Sequence, residues 1–152
     1  MEVKFDYRSL ESVINAAGKS GRKISGLVLC QQAKQLGQTE ETVFSRMEKE
    51  YRVMSECIDP GSRKDLKSNS GLSGGDAYKM KRASESGKSL TGPFFSGALY
   101  RALAVSELNS SMGRIVASPT AGSCGILPAA VLTMQAESNI PEHDCVMSLF
   151  TA

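Results

Sequence analysis

No stretch of this 152-residue sequence holds the roughly 18 consecutive apolar residues needed to cross a bilayer, and the opening MEVKFDYRSL lacks the basic and then apolar regions of a secretory signal. A soluble, cytoplasmic protein is therefore expected. The net charge is only +2, and the basic residues are scattered rather than grouped into a stripe with interleaved aromatics, which argues against nucleic acid as a partner. Cys30, Cys57, Cys124 and Cys145 lie far apart with no paired CxxC spacing, so neither a disulfide framework nor a zinc site is indicated. His143 is the only histidine, leaving one candidate at most for an imidazole base. No lysine lies in a recognisable Schiff-base motif, and no alternating strand or internal repeat is present.

What is present is helical. An apolar fraction of 41% suffices for one core at this length and is too small for two, so one domain is expected. Ser9 can cap a helix carrying Leu10, Val13, Ile14 and Ala17 on one face, with Gly18 and Gly21 as the stop. A second helix is predicted after Ser25, with Leu29, Cys30, Ala33 and Leu36 apolar and Gly37 closing it. The third starts at Thr39, where Glu40 and Glu41 suit the positive helix end. Its stripe Val43, Met47, Tyr51, Met54, Ile58 reads as core, and Pro60 with Gly61 ends it. Glu48, Lys49, Glu50 and Arg52 face water. Further helices are predicted over Asp76 to Ser84 and Phe94 to Met112, the latter dense in small residues and capped by Gly113. An apolar helix beginning near Pro128 is expected to be buried all round, and a last one opens at Pro141 and Glu142 and stops at Ala152 as if cut. Val131, Leu132, Met134, Val146, Met147 and Phe150 are accordingly expected to need cover from outside the chain.

Between these helices lie three loops rich in serine, threonine and glycine: SNSGLSGG (68–75), SGKSLTGP (86–93) and SPTAGSCG (118–125). Each leads into a helix, where N–H groups and hydroxyls can hold a carboxylate or phosphate; such loops also serve as plain connectors. Cys124 sits just before a helix start, where the macrodipole favours a thiolate and small neighbours leave room for an inorganic group, although a small packed cysteine reads equally well. Cys30 reads as core and Cys57 as half-buried packing, while Cys145 stays unassigned. His143, between Glu142 and Asp144, fits a solvated first helical turn. Glu107 and Asn109 become candidates only if buried beside the loops.

The stretches SNSGLSGGDAYKM (68–80), GKSLTG (87–92), AVSELNSSMGRIVASPTAGSCGILPA (104–129) and the terminal LFTA resemble, in this order and spacing, the α chain of bacterial iron-sulfur L-serine dehydratase. The resemblance implies that residues 1–152 are the N-terminal portion of a larger all-helical catalytic domain, mainly α with glycine/serine-rich loops at helix N-termini. It implies conversion of L-serine to pyruvate and ammonia, a 4Fe-4S cluster as Lewis acid with Cys124 as one ligand, and a β chain or β domain as partner in an oligomer. The other two ligands would lie beyond LFTA, and no general base is placed. Ser68, Ser70, Gly71, Thr91, Gly92, Thr120 and Gly122 are then the candidates for binding the substrate carboxylate, with Asp76 or Glu107 meeting its ammonium. The alternative is a non-catalytic helical binding or regulatory module that keeps these motifs, or a glycine-loop binder of another phosphate or carboxylate ligand.

Overall fold

A computed structural model describes residues 9–152; the first eight residues of the stretch read above for a secretory signal lie outside them. The described residues are mainly helical, with no strand among them. The described residues divide into two compact units, one formed by those up to Glu48 together with Glu142–Ala152, the other by Lys49–Pro141.

In the first unit, α1 (Leu10–Ser20) opens with Ser9 and Ser12 each accepting from the other's backbone N–H, and Gly21 turns left-handed to end it. The helix runs straight through Gly18. Its apolar face is not core: no α1 residue is buried, and Leu10 and Ile14 are exposed. α2 (Ile24–Leu36) starts earlier than the pattern suggests and buries Ser25, Leu27, Leu29 and Ala33. Leu36 is exposed because it sits at the point where Gly37 and Gln38 fold back onto the Lys34 and Ala33 carbonyls. α3 (Glu40–Glu56) is capped by Thr39, whose hydroxyl accepts the Thr42 N–H at 3.2 Å. α8 (Glu142–Leu149) packs on α2, and its end closes with the Thr151 N–H on the Ser148 carbonyl. Val146 and Phe150, expected to need outside cover, are buried.

In the second unit the stripe of α3 continues as Tyr51, Met54 and then Ile58, all buried, but not as one helix. α3 stops at Glu56, and a short α4 (Ile58–Gly61) follows. Pro60 therefore lies in the first turn of a new helix, where its missing N–H leaves no bond unmade, instead of ending the old one. Cys57 is buried in the step between them, its thiol donating to the Met54 carbonyl at 3.0 Å.

α5 (Asp76–Glu85) and α6 (Gly92–Ser110) form a tight helical pair, joined across the interface by the Ser84 and Ser96 hydroxyls 2.8 Å apart. The small residues of α6 do what their size permits. Ser96 and Ala104 are fully buried, and α4 and the start of α7 lie backbone to backbone against α6: a β-carbon on Gly61 would sit 2.1 Å from the Ala104 carbonyl oxygen, and one on Gly125 2.6 Å from that of Ala102. α6 ends with Met112, not Gly113, in the left-handed conformation. Gly113 is needed one position later, where its N–H bonds the Leu108 carbonyl at 2.8 Å and a β-carbon would strike the Leu108 side chain.

α7 (Ile126–Ser138) is buried on one side only, through Pro128, Ala129, Leu132 and Thr133. Ile126 and Met134 are exposed, so the expectation of burial all round fails, and Leu132 is covered from within the chain. Thr133 anchors that side by accepting from the Arg101 guanidinium at 3.2 Å, and the Tyr51 hydroxyl donates to Gln135.

Candidate functional site

The last turn of α6 is where two of the three loops are tied. Glu107 is buried, and its carboxylate accepts three backbone N–H groups from the start of α5: Gly75 at 2.9 Å, Asp76 at 2.7 Å and Ala77 at 3.2 Å. Gly75, at the N-cap position, has no side chain to do this, so the cap is drawn from a helix some 30 residues onward. Ser110 offers its carbonyl to the Asn69 N–H at 3.0 Å, and the Asn109 amide donates to the Ala121 carbonyl at 3.3 Å. The 68–75 and 118–125 loops thus both attach to one helical turn.

In the first loop the Ser68 and Ser70 hydroxyls lie 3.2 Å apart, and Ser68 Oγ also accepts the Ser73 N–H. The Gly71 N–H is already donated to the Ser68 carbonyl at 2.9 Å, so Gly71 offers shape rather than a free donor. Gly74 at φ +138° passes so close to Leu66 that a β-carbon would lie 2.2 Å from its carbonyl oxygen, which makes glycine obligatory there.

In the second loop Thr120 and Ser123 bond each other reciprocally, hydroxyl to hydroxyl at 3.1 Å, and Ser123 reaches back to the Ser118 carbonyl. Thr120 and Gly122 are exposed, and the Gly122 N–H forms no hydrogen bond among the described residues. Hydroxyls with a free N–H are suited to an anionic oxygen. Ser123 and the Ser110 carbonyl escape sequence reasoning because nothing in their spacing announces a partner.

Thr91 and Gly92 stand apart from these. They open α6, whereas Glu107 closes it, and fifteen residues at about 1.5 Å each separate Gly92 from Glu107 by about 22 Å. Thr91 bonds the Ser89 hydroxyl at 3.1 Å. One small amino acid cannot span both ends, so the seven candidates divide into Ser68, Ser70, Gly71, Thr120 and Gly122 at one end and Thr91 with Gly92 at the other.

The two carboxylates named for the ammonium are both engaged. Glu107 is spent on the α5 cap, and Asp76 pairs with Lys79 at 2.9 Å, a contact that raises the lysine's pKa. His143 belongs to the other unit, stacked on Phe44 with centroids 5.0 Å apart and otherwise exposed, as a solvated first turn requires.

Of the two readings of Cys124, its burial agrees with the packed cysteine. It is 2% exposed, and burial raises its pKa above the ordinary thiol value despite a backbone hydrogen bond that opposes the shift. Desolvation outweighs that hydrogen bond. Gly125, next to Cys124, rests against the Ala102 carbonyl. Cys57 is pushed up to about 11, chiefly by burial and further by the charge Cys124 would carry on ionising. No three histidine, cysteine or acidic side chains come together to hold a metal among the described residues. As placed, these residues do not fit an iron-sulfur cluster by themselves.

Among the described residues no helix is long and apolar enough to cross a membrane. No solved structure matches the chain. The family model described as "Serine dehydratase alpha chain" matches residues 19–152. The chain is 33% identical over 146 residues to the "Probable L-serine dehydratase, alpha chain" of Bacillus subtilis, covering 96% of this chain and 48% of that protein. It is also 33% identical to the "L-serine dehydratase, alpha chain" of Peptoniphilus asaccharolyticus, over 84% of this chain and 44% of the other. The "L-serine dehydratase" of Streptomyces coelicolor is 27% identical over 85% of the chain and 28% of its own length. The chain therefore spans about half, or less, of the relatives it matches. With the family model covering nearly all of it, the chain belongs to the serine dehydratase alpha chain family.

Proposed function

We propose that this chain supplies the part of an L-serine dehydratase that receives the substrate carboxylate. The observation that carries the reading is the attachment of two hydroxyl-rich loops to the last turn of α6 in a member of this family. Ser68, Ser70 and Thr120 present hydroxyls and Gly122 a free N–H, enough to orient a small amino acid by its carboxylate. Thr91 and Gly92 belong to the proposal as a separate surface at the far end of α6, unable to touch the same molecule.

In the reaction, L-serine loses its α-proton and β-hydroxyl as water, and the resulting enamine tautomerises to an imine that water hydrolyses to pyruvate and ammonia. Holding the carboxylate fixes the Cα–H and Cβ–O bonds relative to whatever groups act on them. The 4Fe-4S cluster remains part of the proposal, with Cys124 as one ligand and the other two outside the described residues, and a β chain or β domain as the partner, in keeping with relatives named alpha chains.

The test is a titration of the ¹⁵N-labelled 152-residue chain with L-serine, followed by amide shifts, beside pyruvate formation by the complete protein prepared without oxygen. Shifts concentrated in 68–75 and 118–125, with serine-dependent pyruvate, are expected. Shifts confined to Thr91 and Gly92, or a complete protein inert toward L-serine, would overturn the reading.

A further inference from the structure

Glu107 is the one acidic residue of α6, it is buried, and it forms no salt bridge among the described residues, Lys79 acting on it only at longer range: its oxygens go to the Gly75, Asp76 and Ala77 N–H groups. Those donors are the ones that a helix start ordinarily offers to a bound anion. The protein has filled that place with its own carboxylate, so substrate is excluded from it. What Glu107 holds is equally specific. Gly74 and Gly75 both have positive φ, and Gly74 is wedged against Leu66, so the end of the 68–75 loop has one available path. One turn of α6 further on, the Ser110 carbonyl fixes the other end of the loop through Asn69. Between them, on the same turn, Asn109 fixes the 118–125 loop.

We propose that Glu107 is a positioning residue of the dehydratase: an internal carboxylate that sets the Ser68 and Ser70 hydroxyls in register with Thr120 and Gly122. This rests on the reading that these two loops receive the substrate carboxylate. Glu107 touches no substrate in this arrangement; it acts through the loop. Its removal therefore leaves the donors of the 68–75 loop chemically intact and misplaced, and the effect falls on substrate capture more than on turnover of what is bound.

Two variants and one small-molecule probe test this. Glu107→Gln keeps the shape but sets an amide NH₂ against a backbone N–H, so one of the N–H bonds is lost. Glu107→Ala removes the acceptor and leaves space at the α5 start for formate. In the complete protein, Glu107→Gln is expected to raise KM for L-serine about tenfold with kcat within about threefold, and Glu107→Ala to raise it further. Sodium formate at tens of millimolar is expected to restore KM in Glu107→Ala and to do nothing for the glutamine variant, whose site is still filled. Hydrogen exchange in the 152-residue chain is expected to show faster amides at 75–77 in Glu107→Ala, slowed again by formate.

Wild-type protein inert toward L-serine would remove the functional reading beneath the proposal. An active wild type with unchanged KM in Glu107→Gln would overturn the positioning role alone, as would a loss confined to kcat or a Glu107→Ala protein indifferent to formate. If Glu107→Ala does not fold, the KM of Glu107→Gln decides.

Discussion

Replacing Gly61 by alanine is expected to destabilise the chain more than any other single methyl group added to a helical glycine. The new β-carbon would stand 2.1 Å from the Ala104 carbonyl oxygen, 2.6 Å from its carbon and 3.0 Å from its Cα. Non-bonded heavy atoms rest at about 3.5–4.0 Å, so α4 must retreat from α6 by more than about 1 Å. Neither side has slack: Ala104 and Val105 are 0% exposed, and Gly61 and Ile58 are buried against them. The obstacle is backbone, which cannot turn aside as a side chain can. A gap of about 0.5–1 Å forfeits a quarter to a half of each dispersion contact it opens, and overpacking alone costs about 1–3 kcal/mol. The expected cost is about 3 kcal/mol or more, against a total stability of about 5–15 kcal/mol for an ordinary domain.

Gly26→Ala is the matched control. It lies inside α2 with no heavy atom within 4 Å of the added carbon and no positive φ, so it is expected to gain about 0.5–1 kcal/mol in helix propensity. Urea unfolding followed by helical circular dichroism, with slopes compared as well as midpoints, measures both. Gly61→Ala within about 0.5 kcal/mol of wild type would show that the α4–α6 approach is not as close as described.

Cys57 opens on a cleft of about 300 Å³ with Val53, Glu56, Pro60, Leu108 and Arg114, yet its pKa of about 11 against an ordinary 9.0 leaves about a hundredfold less thiolate at pH 8. Iodoacetamide labelling read by mass spectrometry is expected to modify Cys30 well ahead of it, and equal rates would contradict the burial. Because the folded thiol holds its proton to higher pH than the unfolded one, its contribution to stability is complete below about pH 9 and is lost as pH rises through about 11, so the alkaline fall in Tm should be shallower in Cys57→Ser. Cys124→Ser in the complete protein is expected to lose iron and sulfide, as the ligand role proposed for it requires, while Cys30→Ser keeps both; unchanged iron in Cys124→Ser would remove that role.

How far the fold was legible follows from which forces are local. Ser9, Thr39, Gly21 and Gly37 act on backbone within one turn of themselves, and each does what its residue type suggests. The stripe Val43, Met47, Tyr51, Met54, Ile58 is buried except for the half-buried Met47, but it is not one helix, because side-chain periodicity survives the step at Cys57 that the backbone does not. The left-handed residue after α6 shows the same limit. Local rules favour Gly113 there, but Leu108 packs where a Gly113 side chain would go, so the glycine is taken up by that contact and Met112 adopts φ +64°.

The candidate site divides along the same line. That the loops were rich in donors was visible, but which donors remained free was not, because Gly71 spends its N–H inside its own turn while Gly122 does not. One signal for Glu107 was nevertheless present. α5 begins after Gly74 and Gly75 with no serine, threonine, asparagine or aspartate at its N-cap, so its first N–H groups needed an acceptor from elsewhere. An acid amid small residues on the neighbouring helix, at Glu107, was the natural supplier. An uncapped helix start and an unexplained buried acid are two halves of one observation, and pairing them identifies the turn to which both loops are tied. The same step separates Thr91 and Gly92 from the rest, since α6 is a rigid rod whose length sets how many of its neighbours one small molecule can reach.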